Sequence, residues 1–427
     1  MKNINNEIKL NLFKSKYLTF IFILHLSLIF TLIGIIMMNI MANNASYNNF
    51  YNIFKDNEVF NVIDIGDPEV YSNNMNMDNI DNISDLYEEL NTEYTRIGQI
   101  INQFDGEFDV KKIDFMNVDL DRIESYEELG VAPYKSLRVN KNFFDLYQLN
   151  VTEGTTFSVD YKYNLGETIP VILGNAYKDY YNIGDQFKGD YFLFEKNSLY
   201  EVIGFLDSKA KYFNLNLGTY VSLDHYILVP DVDINKENAY REEVIIANYA
   251  QRIPSVLLSE EANDSELKDI LDKYGLSSMY RVDNQKMTVE KIYQDSKNLS
   301  ATMLVSFIFL SLFSVIIISM NCFRRISMNF KRYAIHLANG ASTKDISKLV
   351  LCDLIVILIT SDIVAIGINT IFALKNVYLS SAYISFILPV SIVVVAFSMI
   401  IYLTMFLIVK IRLNKFKIVD FIRRLQP

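Results

Sequence analysis

Histidines, cysteines and paired carboxylates are the residues in this 427-residue sequence with the types to do chemistry. His25, His225 and His336 fall in three separate regions, and the two cysteines, Cys322 and Cys352, have no further donors near them to complete a metal site. Glu88–Glu89 and Glu242–Glu243 are adjacent acids in a chain with 50 acidic residues, where such pairs read as solvated faces. No G-x-x-x-x-G-K-[ST] loop is present. The nearest stretch, "NGASTKD" at Asn339–Asp345, lacks both the spacing and the glycine before lysine that let backbone amides cradle phosphate. H-E-x-x-H, G-x-S-x-G and kinase signatures are absent as well. The chain is therefore not expected to be an enzyme.

Two carboxylates stand apart, Asp353 and Asp362, because the run around them is otherwise apolar. Ionisable groups in hydrocarbon are costly and face protein or water. Nine positions separate them, which at about 3.6 residues per turn puts them about half a turn out of phase. They are not expected to share a partner. Asp353 is the nearer to the inner surface. Asp362 is the deeper, and either serves function or makes a packing contact to Ser, Thr or Asn on a neighbouring helix.

The elements that carry these residues are apolar runs. About 20 residues suffice to span a bilayer. Tyr17–Met41, Leu299–Phe323 and Val377–Val409 hold no Asp, Glu, Lys or Arg, and Leu349–Leu374 holds only the two aspartates. The expected fold class is a membrane protein with four transmembrane α-helices at 17–41, 299–323, 349–374 and 386–409. A large α+β extracytoplasmic domain, 42–298, sits between spans 1 and 2. Charge sets the orientation: Met1–Lys16 carries +3, Arg324–Lys348 +5 and Lys410–Pro427 +5, while Asn43–Asn298 carries −22. Basic flanks stay on the cytoplasmic side. Both termini (1–16 and 410–427) and the 324–348 loop are thus expected inside, and 42–298 and the short 375–385 turn outside.

Within the outer segment, Asn57–Gly66 reads as a strand and Ile83–Phe104 as one helix, with Leu86, Leu90, Tyr94, Ile97 and Ile101 at helical spacing. "FDVKKIDFM", "YKSLRVN", "IPVILG", "YFLFEKNSLYEVIGFLDS", "YVSLDHYILVP", "EEVIIANY" and "MYRVDN" read as strands. Asp264–Gly275 reads as an amphipathic helix stopped by its glycine. No Pro or Gly interrupts the chain from Met41 to Gly66, nor from Met287 into the second span, so both spans are expected to continue as stalks.

The loop between spans 2 and 3 has its own grammar. Ile326, Phe330, Tyr333, Ala334, Leu337 and Ala338 recur at helical spacing and form one apolar face. Asn339-Gly340 is a helix stop. Ser342 with Asp345 three residues on reads as an acidic capping box that starts the next helix. Such a segment fits either an anionic lipid surface or a protein partner.

The segment "FRRISMNFKRYAIHLANGASTKDISKLVLCD" resembles the loop of FtsX/MacB-type ABC transporter permeases, matching it at Arg324, Arg325, Ile335, Ala338, Gly340, Ala341, Ser342, Asp345 and Ile346. The family's Glu-Ile-Gly before this core is Arg332-Tyr333-Ala334 here. "VNKNFFDLYQLNVTEGTTFS", "IPVILGNAYKDYYNIGDQFK" with "YEVIGFL", and the closing "KIVDFIRRL" resemble elements of the MacB-like extracellular core and the family's tail.

The resemblance implies a permease subunit in the plasma membrane, paired as homodimer or heterodimer with a second permease. It implies a separate cytoplasmic ABC ATPase that binds the ATP, so no cofactor is expected on this chain. The residues it marks for ATPase coupling are Arg325, Ile326, Phe330, Tyr333, Ile335, Leu337, Gly340, Ala341, Ser342 and Asp345. Expected functions are export of a peptide-like or amphipathic substrate or, alternatively, mechanotransmission to an extracellular cell-wall hydrolase. Membrane lipid and an extracellular protein are the other expected partners; nucleic acid is not.

Overall fold

The computed structural model describes residues 16–55, 57–67, 69–70, 74–106, 115, 133–158, 161–375 and 380–414. "FDVKKIDFM", apart from Phe115, and the C-terminal "KIVDFIRRL" lie outside the described residues. The chain forms two compact units, Ser46–Ile292 and the pair Met1–Ala45 with Tyr293–Pro427. Helix α1, Lys16–Phe54, begins in one and ends in the other.

In the unit Ser46–Ile292 the chain runs through β1 (Glu58–Asp64), α2 (Ile80–Glu93), β2 (Thr95–Ile97), β3 (Gln99–Gly106), β4 (Pro133–Val139), α3 (Lys141–Tyr147), β5 (Val151–Gly154) and β6 (Ile169–Leu173). It continues through β7 (Gln186–Asp190), β8 (Ser198–Leu206), β9 (Lys211–Asn214), β10 (Thr219–Ser222), β11 (Ile227–Pro230), α4 (Glu242–Arg252), β12 (Val256–Ser259), α5 (Asp264–Lys273) and β13 (Tyr280–Asn284). A four-stranded sheet has the order β13-β1-β12-β2. Phe60 and Val62 of β1 pack against Ile83, Leu86 and Leu90 of α2 and Leu267 and Leu271 of α5. Helix α5 starts with a capping box between Asn263 and Glu266.

The second sheet has seven strands, β5-β8-β6-β11-β4-β3-β7, and a further pairing of β7 with β8 closes it into a barrel. Strand side chains alternate faces, and the closed sheet separates them into two cores. Phe104, Tyr134, Val171, Phe187, Tyr200, Val202 and Val229 pack together in one. Leu137, Val139, Ile172, Leu206 and Leu228, from the alternate positions, pack with Phe143 of α3 and with Phe50 and Phe54 of α1 in the other.

Three local expectations are corrected. The helix expected over Ile83–Phe104 ends at Glu93, and Tyr94 is already extended (φ −129°, ψ 150°). Thr95–Ile97 pairs with β12 and Gln99–Asp105 with β4, so ladder bonds take the residues whose spacing had mimicked a helix. "EEVIIANY" is helix α4 rather than a strand. Its buried positions Val244, Ile245, Asn248, Tyr249 and Arg252 fall three and four apart, and Glu242 and Glu243 complement the dipole at its start. Of "YFLFEKNSLYEVIGFLDS", expected as strand, only Ser198–Leu206 is extended; residues 191–197 are the turn that joins it to β7, with which it pairs, and Asn197 is left-handed at φ 56°.

The other unit is helical: α6 (Gln285–Met328) from Tyr293 on, α7 (Phe330–Ala338), α8 (Thr343–Lys375) and α9 (Ser380–Asn414), with the first part of α1. Helices α1, α6, α8 and α9 are each long and apolar enough to cross a membrane. The chain is thus a multi-pass membrane protein with an α+β domain between its first and second spans. Phe22, Leu26 and Phe30 of α1, Val350, Leu354 and Ile357 of α8, and Val394 and Ile401 of α9 share one core. Phe309, Ile363 and Leu388 are exposed, which suits a surface solvated by lipid. Hydroxyls at Ser306, Ser311, Thr360 and Thr404 donate to the carbonyl four residues earlier, giving them a partner where no water is at hand.

Candidate functional site

The segment between α6 and α8 is a bent two-helix element held by local bonds. Helix α7 ends with Asn339 N–H on the Ile335 carbonyl and Ala341 N–H on the His336 carbonyl, each at 3.0 Å. Gly340 between them has φ +90°, the left-handed conformation that L side chains resist. At the start of α8, Ser342 N–H and Oγ–H both donate to Asp345 Oδ2, at 3.0 and 2.7 Å, and Asp345 N–H returns a bond to Ser342 Oγ at 3.3 Å. This reciprocal cap fixes where the chain re-enters a helix.

The bend decides which side chains face out. Ile326, Tyr333 and Ala334 are buried in the same core as Phe22, Ile346, Val350 and Leu354. Ile335 is 59% exposed, and Lys331, Asn339, Gly340, Ser342, Lys344, Asp345 and Lys348 are exposed with it. Ala341 is half-buried. The side chains of Arg325, Phe330, Leu337 and Ala338 lie outside the described set. The apolar stripe read from the sequence therefore supplies packing through Ile326, Tyr333 and Ala334. The outward stripe is Lys331–Ile335–Asn339, which periodicity did not single out. Of that stripe, the sequence marks only Ile335, through the family resemblance and as an isoleucine off the main apolar face.

The two intramembrane carboxylates face different neighbours. Asp353 is 4% exposed and lines a small cavity with Phe22 and Leu26 of α1 and Ile318, Asn321 and Cys322 of α6. Asp362 is 9% exposed and takes a hydrogen bond from Ser398 of α9. One turn-pair further along α8, Asn369 lies against Gly34 of α1 so closely that a Cβ there would stand 2.0 Å from Asn369 Nδ2. His25 Nε2 and Ser314 Oγ, on α1 and α6, are 2.9 Å apart.

The unit Ser46–Ile292 holds a charged cluster with no sequence signal, since its members are scattered from residue 96 to 252. Asp231, just after β11, has 0% side-chain exposure. It pairs with Arg96 of β2, with Arg138 Nε at 3.4 Å and with Arg252 Nε at 3.2 Å. Arg252 also bonds Asp233 at 2.6 Å. Burial alone would raise the Asp231 carboxyl, but the three guanidiniums together hold it well below the usual carboxylate range.

Comparison with known proteins yields likenesses of shape, two of which are with transporters. This chain is similar to solved extracellular regions of two transporters. One is the extracellular domain of the noncanonic ABC-type transporter YknZ from Gram-positive bacteria, at 12% identity and TM-score 0.28, over 53% of this chain and 100% of that one. The other is the periplasmic region of MacB from Actinobacillus actinomycetemcomitans, at 12% identity and TM-score 0.31, over 57% of this chain and 95% of that one. No family model and no curated protein matches. At these scores the likenesses carry no functional argument, which rests on this chain's own residues.

Proposed function

We propose that the chain is the permease subunit of a MacB/FtsX-type ABC system in the plasma membrane, working with a separate cytoplasmic ATPase and a second permease. The observation that carries this reading is the bent element of α7, Gly340 and the Ser342–Asp345 cap. It is locked by its own hydrogen bonds, placed between two membrane-spanning helices, and carries an exposed isoleucine together with exposed Lys331, Lys344 and Lys348. An exposed apolar side chain on an element with exposed basic residues suits a protein contact, because burying the apolar group supplies affinity and the charges exclude wrong partners. In this reading the basic flanks keep the element on the cytoplasmic side.

In this reading the ATPase engages Ile335 and the Gly340–Asp345 turn, and its closure on ATP moves α8 through the cap. Tyr333 and Ala334 pass the same push into the core around Phe22 and Leu354. Export of a peptide-like or amphipathic molecule is the favoured outcome. The unbroken course of α6, 44 residues from β13 to Met328, favours a second reading in which motion reaches an extracellular hydrolase without transport.

Site-directed cross-linking tests the contact. A cysteine at Ile335 should form a covalent adduct with the ATPase subunit in native membranes, and one at the buried Tyr333 should not. Adducts at neither position, or at Tyr333 alone, would contradict the assignment.

A further inference from the structure

The Asp231 cluster carries more positive charge than its protein partners neutralise. Arg96, Arg138 and Arg252 have side-chain exposures of 4%, 0% and 7%, yet the carboxylates paired with them are the buried Asp231 and the 52%-exposed Asp233. Counting both carboxylates, one guanidinium charge is left over. Buried charge without a counter-charge is strongly unfavourable. Hydrogen bonds are missing as well: Arg96 Nη1 and Arg138 Nη2 have no acceptor among the described residues. Burial lowers the Arg138 pKa, an effect that a neighbouring anion opposes.

The surroundings are built and specific. Arg138 stands in register with Val229 across the parallel β4–β11 pair, and Tyr134, Ser136 and Arg138 alternate along one buried face of β4. Asn248 of α4 accepts from Arg138 Nη1 at 3.1 Å, and Tyr191 Oη accepts from Asn102 at 2.8 Å. The Tyr87 ring lies 4.2 Å from the Arg252 guanidinium and 5.1 Å from that of Arg96. None of these groups is an anion. A cleft of about 810 Å³, lined by Asn140, Asn142, Phe157, Tyr161 and Asp231, borders the cluster on its Asp231 side.

We propose that this cluster binds a small monovalent inorganic anion of the halide class, held by Arg138 and Arg96. A single negative charge matches the single excess guanidinium. A spherical acceptor also takes several N–H donors at once without adding unsatisfied atoms of its own. The anion joins the barrel, through β4, to the four-stranded sheet and its helices, through β2 and α4.

The test is thermal unfolding of the purified full-length protein in lipid nanodiscs, in sodium chloride, bromide or gluconate at equal ionic strength. The expected result is a saturable rise of several degrees in the midpoint with chloride and bromide over gluconate, following mass action. Arg138→Gln should abolish that rise, and Lys211→Gln should keep it. If Arg138→Gln fails to fold, Arg96→Gln takes its place and should weaken the halide response at least tenfold in the concentration needed. Equal midpoints in the three salts would overturn the proposal, as would an undiminished halide response in both arginine variants.

Discussion

Tyr333 and Ile335 stand two positions apart on α7 and face opposite ways: Tyr333 is 2% exposed in the helical core, and Ile335 is 59% exposed. Two apolar residues of one short helix thus have different jobs. Tyr333→Ala should destabilise the helical unit by about 3–5 kcal/mol, the range for removing a buried aromatic side chain. Ile335→Asp should leave thermal stability within about 0.5 kcal/mol, as surface changes do. Thermal denaturation of both variants in nanodiscs checks the contrast, and equal losses would erase the distinction.

The turn after α7 makes a second prediction. A Cβ at Gly340 meets nothing within 4 Å, so the penalty for a side chain there is conformational rather than steric. Gly340→Val should cost about 1–2 kcal/mol through its left-handed backbone. Ser342→Ala should cost about 1 kcal/mol through the lost cap. Hydrogen exchange at the amides of residues 343–346 should quicken in Ser342→Ala, while exchange deeper in α8 stays unchanged.

Gly34 and Asn369 make a third. Valine at position 34 would collide with the Asn369 amide, which is 4% exposed and cannot swing into water. Gly34→Val should therefore lower stability by about 1–3 kcal/mol, the usual cost of overpacking. Asn369→Ala should restore part of it by making room. Additive losses in the double variant would show that the two positions do not share the contact.

Acid stability makes a fourth. Asp231 has a folded-state pKa below its unfolded value of about 3.9. Its contribution to stability is then fully present above about pH 4 and is lost as pH falls from there through the folded value. Asp231→Asn should cost about 3–5 kcal/mol at neutral pH by leaving the buried Arg96 and Arg138 guanidiniums without a carboxylate. It should also flatten the stability profile below about pH 4. Denaturation across a pH series measures both effects.

What the sequence could reveal follows from how local each feature is. The four spans and the Gly340–Ser342–Asp345 turn were readable because run length, a helix stop and a cap each act within a few residues. The outward side of α7 was not, because Tyr333 and Ile335 are both apolar and contacts from α1 and α8 decide between them. Helix α4 reads as a strand in the sequence because an eight-residue stretch with five apolar positions fits either period. Ile97 and Ile101 continued the spacing of α2 by coincidence, and only pairing with β12 and β4 revealed them as strand residues. Closure of the barrel by β7 and β8, and the meeting of Arg96, Arg138, Asp231 and Arg252, are set by long-range topology that no local pattern encodes.

The central claim is that a separate ATPase engages the surface carried by Ile335. It is tested most directly by affinity purification of the full-length protein from its own membranes, with ATP hydrolysis measured on the product and the bound subunit identified by mass spectrometry. The account predicts that a P-loop ATPase co-purifies with the wild-type chain and is lost with Ile335→Asp, while the variant remains inserted and folded. Retention of the ATPase by correctly inserted Ile335→Asp, or a wild-type preparation with no ATPase and no ATP hydrolysis, would contradict it.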